Sequence, residues 1–158
     1  MFTSLLLPIK LNEPDAWTDA FAAGCRLARD HDARLTLATI IPHWVTDRDA
    51  DYSWEAKKWF ERRATAGLEA LRSRTSCERC DTLVHWGSVP GSILDMAEEI
   101  EADLIVMPAR KPGIGDYLRT QAALRLAARV SCSVLLVRDG TAVPSERELC
   151  GPMVSRTN

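Results

Sequence analysis

Apolar and polar positions along this chain follow two rhythms that take turns. Apolar runs of strand length, Thr3 to Ile9, Ala33 to Ile41, Asp81 to Trp86, Asp103 to Met107 and Ser133 to Val137, are separated by longer stretches in which apolar residues recur at i, i+3, i+4 and i+7. Runs with little polar interruption suit strands buried on both faces of a sheet. The first helical stretch starts at Pro14 or Asp15 and places Trp17, Ala20, Phe21, Gly24, Leu27 and Ala28 on one stripe. A second, from about Ser53 to Ser73, turns Ala56, Trp59, Phe60, Ala64, Gly67, Leu68 and Leu71 inward. A third follows from about Val89, with Pro90 accommodated in its first turn and Ile93, Met96, Ala97 and Ile100 toward the core. A fourth runs from about Tyr117 to Val130. Strands and helices alternating in this way, joined by right-handed crossovers, predict an α/β fold: one doubly wound, five-stranded parallel sheet in a single domain.

Composition narrows the function classes. The chain has 158 residues, 46% of them apolar, enough for one compact core. Charged residues make up 27% with a net charge of -2, and no basic stripe stands out, so no nucleic-acid partner is expected. The start, Met1-Phe-Thr-Ser-Leu-Leu-Leu-Pro8, lacks a basic leader region, and its apolar run is too short for a signal peptide or a membrane span. The expectation is a cytoplasmic protein with no membrane role. From Asp139 to Asn158, Gly140, Pro144, Gly151 and Pro152 fall among charges without an apolar period, which reads as a mobile tail after a domain of residues 1 to 138.

Five cysteines, Cys25, Cys77, Cys80, Cys132 and Cys150, are scattered unlike a disulfide framework. The pair Cys77-Glu-Arg-Cys80 follows a helix and precedes a strand, the reverse of the order in which a helix N-terminus activates a redox thiolate. Zinc would need two further ligands, and His85 is the only neighbour in sequence, so no metal site is expected. The pair reads as a surface turn with thiols near the ordinary pKa of about 8.5, and a thiol-redox module is the competing reading. His43 and His85 have no acid, nucleophile or second ligand close in sequence, and His31 reads as a dipole partner at a helix C-terminus. With no nucleophile elbow, Walker loop, paired carboxylates or His/Glu metal motif, no enzyme is expected. Around Pro42 to Tyr52 and the start of the second helix, His43, Trp44, Tyr52, Trp54 and Trp59 concentrate aromatic surface. Trp54 and Trp59 are expected to pack under the loop as a satellite core, with a partner or ligand surface as the alternative.

The segment Ala102 to Val137 holds one strand-helix-strand unit whose loop, Pro108-Ala-Arg-Lys-Pro-Gly-Ile-Gly115, falls past the carboxyl end of the fourth strand. That is where an open parallel sheet holds a nucleotide phosphate. Ala-Asp-Leu-Ile-Val-Met107, the Gly-containing loop, the Ala-rich helix and Ser-Cys-Ser-Val-Leu-Leu-Val-Arg138 together resemble the universal stress protein family. Leu5-Leu-Leu-Pro-Ile9 is similar to its first strand and Gly87-Ser-Val-Pro-Gly-Ser-Ile93 to its third strand-to-helix turn. The resemblance covers residues 3 to 138 and implies a Rossmann-like, adenine nucleotide alpha hydrolase-like fold.

Nucleotide-binding members of that family carry Gly-x2-Gly-x9-Gly-Ser/Thr after the fourth strand and an Asp just past the first. The matching positions here are Pro108, Lys111, Gln121 and Ala122, with Lys10 in place of the Asp. Proline removes a backbone donor and fixes φ where glycine leaves it free, and an ammonium cannot accept ribose hydroxyl protons. Against this, Arg110, Lys111, Gly113 and Gly115 still form a short cationic loop opening a helix, and Lys10 adds a third positive charge, so these five residues are the anion-site candidates. Asp116, at the N-cap position, would repel phosphate. The resemblance then implies a member with a degenerate ATP-binding motif and no cofactor, acting as a stress-response regulatory or protective protein through contacts with a protein partner. The alternative is an ATP- or AMP-binding sensor using the altered loop. The resemblance also implies a homodimer formed through the edge strand Ser133 to Val137.

Overall fold

The computed structural model describes residues 1–43, 54–109 and 126–138. The apolar runs become strands β1 Ser4–Pro8, β2 Arg34–Ile41, β3 Cys80–Trp86, β4 Leu104–Ala109 and β5 Ser133–Arg138. All neighbours pair in parallel, in the order β3-β2-β1-β4-β5. The chain steps outward from β1 to β2 and β3, then crosses back to the other side of β1 for β4 and β5. A parallel sheet wound this way has its switch point between β1 and β4, and a crevice opens there at the carboxyl ends of the strands.

Alternate side chains of each strand serve opposite faces. On one face Leu5, Leu7, Leu35, Leu37 and Val106 pack with Phe21, Cys25 and Ala28 of α1 (Thr18–His31) and with Leu68 and Leu71 of α2 (Trp54–Arg72). On the other, Leu6, Ala38 and Ile105 meet Ile93, Met96 and Ala97 of α3 (Val89–Glu99), together with Leu126. Leu5, Leu6, Leu7, Leu35 and Leu37 are completely buried, each contributing about 1.5–3 kcal/mol of burial free energy. The doubly wound, single-sheet α/β architecture is the one the two rhythms predict.

Differences lie at the ends of elements. The helix expected from Pro14 is a single 3-10 turn, Pro14–Ala16, and α1 proper begins after Trp17, whose φ of -126° and ψ of -3° interrupt the helix. α1 ends on Asp32 in the left-handed region, φ 51°, with the Ala33 N–H returning to the Ala28 carbonyl at 2.8 Å. Glu101 does the same after α3, also at φ 51°, with Ala102 N–H to the Ala97 carbonyl at 2.8 Å. Both are stops of the kind glycine usually makes. Of the fourth expected helix, residues 126–127 are helical, and 117–125 lie outside the described residues, as does the tail 139–158. No helix among the described residues is long and apolar enough to cross a membrane.

Candidate functional site

The carboxyl end of β1 runs into a loop held at several points. Ile9 N–H donates to the Ala38 carbonyl at 2.7 Å, and the Ile9 carbonyl accepts from the buried Thr39 hydroxyl at 2.8 Å. The Lys10 carbonyl accepts from Glu13 N–H at 2.9 Å and from the Trp17 indole N–H at 2.9 Å. These bonds set the 10–17 loop upright beside the sheet end and seat Trp17 edge-on to Phe21, ring centroids 5.9 Å apart. Facing the loop, α2 presents Gly67, where a Cβ would stand only 3.0 Å from a Leu11 methyl. Glycine there lets the loop approach the helix.

Between these walls lies a cleft of about 1340 Å³, measured between described residues. Its floor is Ile9, Ala38, Ile40, Ile93, Met107 and Pro108; its α2 wall carries Trp59, Phe60, Arg63 and Ala64; its loop wall carries Leu11, Asn12, Pro14 and Trp17. A site at this end of the sheet is where the fold predicts a ligand. Among the described lining residues the polar side chains other than Trp17 are Lys10, Asn12, Thr39, Arg63 and Arg74, with no Asp or Glu. The ribose hydroxyls of a nucleotide therefore meet no carboxylate acceptor on these walls.

Of the five anion-site candidates, Lys10 sits as expected at this end of β1, exposed, with its ammonium ion-paired to Glu13. Arg110, Lys111, Gly113 and Gly115 lie outside the described residues, as do Asp116, Gln121 and Ala122. Thr39, Trp17, Arg63 and Arg74 are not singled out by sequence as site residues. A hydroxyl inside the apolar run Leu35-Thr-Leu-Ala-Thr-Ile-Ile41 is the available signal for Thr39.

Two aromatic expectations need correction. Trp54 and Trp59 do not form a buried satellite core: they are 67% and 53% exposed. Cations occupy their ring faces instead, with Lys58 Nζ 3.4 Å above Trp54 and the Arg63 guanidinium 5.3 Å from the Trp59 centroid. Of the loop expected to cover them, Pro42 to Tyr52, residues 44–52 lie outside the described residues.

The cysteine pair sits away from the cleft, between α2 and the start of β3. It is not a simple surface turn, because Cys80 is the buried first residue of β3 and burial pushes its thiol up to about 11. Cys77 is partly buried and its thiol donates to the Cys25 carbonyl at 3.5 Å. Among the described residues no three His, Cys, Asp or Glu side chains converge as a metal site would need. His31 closes α1 as expected and accepts the Phe2 N–H at 3.4 Å, while the buried Nδ1 of His85 has no hydrogen-bond partner among the described residues.

The fold is shared with known proteins. A universal stress protein solved in complex with cAMP superposes with a TM-score of 0.63, over 86% of this chain and 97% of that one, at 16% identity. In sequence, universal stress protein G of Escherichia coli O157:H7 is 24% identical over 143 residues, 87% of this chain and 100% of that protein. A universal stress protein of Mycobacterium tuberculosis is 36% identical over 88 residues, 52% of this chain, and the match spans 30% of that relative's length. The profile of the universal stress protein family matches residues 1–138. Fold and sequence agree, and the chain belongs to the universal stress protein family.

Proposed function

We propose that this chain is a dimeric, cytoplasmic stress-response protein that regulates or protects through protein contacts, without relying on bound ATP and without a catalytic step. The observation that carries the reading is the place of β5. It is the last strand of the sheet, and Leu135 and Leu136 are 38% and 41% exposed along it. An apolar edge strand is an aggregation hazard that native proteins pair or cover, and a two-fold partner offers the same strand in antiparallel register. The ATP half of the reading is supported by the residues at the phosphate and ribose positions, Pro108, Lys111, Gln121, Ala122 and Lys10, and by the absence of carboxylates among the described residues that line the cleft.

Sedimentation velocity of the purified protein at tens of micromolar tests the first half, and a monomer overturns it. Calorimetry against ATP and ADP tests the second, and a dissociation constant in the low micromolar range overturns that. A second reading, a nucleotide sensor using the cationic loop Arg110 to Gly115, is favoured by the relative solved with cAMP. On that reading, binding depends on charge: Lys111→Ala weakens it and added salt weakens it further.

A further inference from the structure

β5 ends at Arg138, and the next two residues are Asp139-Gly140. Asp-Gly is a preferred pair for the two-residue loop of a β-hairpin, whose turn needs a positive φ at both positions and matches the twist of the strands it joins. Such a loop returns the chain antiparallel beside β5. It makes one demand on the strand: the residue before the loop must turn its own N–H and C=O toward the returning chain. The register of β5 meets that demand. Ser133 N–H goes to the Asp103 carbonyl, so the odd-numbered residues of β5 address β4. The even-numbered ones, Val134, Leu136 and Arg138, address the side on which no described strand lies.

Counting back from the loop pairs Arg138 with Thr141, Val137 with Ala142, Leu136 with Val143 and Leu135 with Pro144. Thr141 and Val143 then exchange hydrogen bonds with β5, whereas Ala142 and Pro144 turn their backbone outward. Pro144 thus falls where its missing N–H takes nothing from the ladder and denies a donor to any further strand, which is where edge strands carry proline. A shift of one residue would put it in the ladder. Thr141 and Val143 are β-branched, as strands favour, and Val143 and Pro144 come to lie beside the exposed Leu136 and Leu135.

We propose that the outer edge of β5 receives the chain's own segment Thr141 to Pro144 as a short antiparallel strand, which a second copy must displace before it can pair there. The consequence for assembly rests on the dimer reading above; the strand itself does not. A segment tethered by two residues acts at an effective concentration in roughly the millimolar range, but it is short. A second copy offers the whole of β5, Ser133–Arg138. The edge is then shared between two occupants, and the apparent strength of the dimer falls with the fraction of chains whose edge is open.

The test is amide hydrogen exchange of the full-length protein, read residue by residue by mass spectrometry at a concentration where sedimentation shows each protein to be monomeric. Gly140→Val puts a β-branched side chain where the turn needs a positive φ, and Val143→Pro removes the donor that faces Leu136. Ala142→Pro removes a donor that faces outward and is the control for register. Leu136 N–H should exchange at least about tenfold faster in the first two variants than in the wild type and in Ala142→Pro, while Val137 N–H, on the β4 side, keeps its rate. At higher concentration the first two variants should dimerise at least about tenfold more tightly than the wild type. Equal exchange at Leu136 in the wild type, Gly140→Val and Val143→Pro overturns the proposal whatever the state of assembly. Faster exchange in those variants of a protein that never dimerises upholds the strand and overturns the dimer reading instead.

Discussion

The carboxylate of Asp103 accepts two hydrogen bonds from Thr3 across the sheet, from the backbone N–H at 2.6 Å and from the hydroxyl at 2.8 Å. Ser4 N–H adds a third at 3.2 Å, so one side chain ahead of β4 fastens the start of β1 at the end opposite the cleft. Burial disfavours the charge, but the bonds from Thr3 and Ser4 outweigh it and hold this carboxyl below its ordinary range. Asp103→Ala should cost about 1–2 kcal/mol, trimmed from the full value of charged hydrogen bonds because the site is partly open to solvent. A folded pKa below the unfolded value of about 3.9 means stabilisation that is present above that value and lost as pH falls through the folded pKa. Urea unfolding of wild type and variant near neutral pH and in acid steps checks this. The gap between the two should close in acid, and a gap that stays constant contradicts the role given to the carboxylate.

Thiol chemistry gives a second prediction. Cys80, buried at the head of β3, has its thiol pushed up to about 11 by desolvation, against the opposing hydrogen bond to Thr75. In the native protein it should react with iodoacetamide at least roughly tenfold more slowly than a free cysteine of pKa about 8.5. Cys77, partly buried, should be modified first. Peptide mass mapping over an alkaline pH series reads both. Rapid alkylation of Cys80 at mildly alkaline pH, or ready formation of a Cys77–Cys80 disulfide with mild peroxide, would restore the redox reading.

Strands and the buried stripe of α1 are legible because they are local patterns. Leu5 to Leu7 and Leu35 to Ala38 sit where an apolar run must, and Ala20, Phe21, Gly24 and Ala28 repeat with the helix. Helix stops are less legible, since Asp32 and Glu101 take the left-handed conformation that glycine would have announced. Trp59 shows the limit of periodicity. Its spacing assigns it to the inner stripe with Ala64 and Leu68, yet it lies at the margin of that stripe and is half exposed beside the cleft. Of the described cleft residues, sequence marks Lys10 and Pro108 as site positions. Thr39 reaches Ile9 across thirty positions of sequence, and Arg63 reads as any solvent-facing helix charge until the opposite wall is in place.

The register of β5 decides which substitution tests the dimer. Ser133 N–H donates to the Asp103 carbonyl at 3.1 Å, and β5 continues in parallel with β4 from Leu104↔Ser133 to Ala109↔Arg138. Because backbone groups alternate along a strand, Leu135 N–H faces β4 as Ser133 does, whereas Val134 and Leu136 turn theirs to the open edge. Proline at either leucine is equivalent by sequence alone, but the consequences differ. Leu135→Pro removes a donor from the protein's own ladder and should lower the thermal midpoint. Leu136→Pro removes one only from the outer edge, so it should disrupt the proposed dimer while leaving cooperative unfolding in place. Leu136→Lys keeps the N–H and adds a charge at the contact, and should weaken association at least roughly tenfold. Sedimentation velocity with circular dichroism on the three variants separates these outcomes, and an unchanged dimer in well-folded Leu136→Pro rules out pairing through this edge.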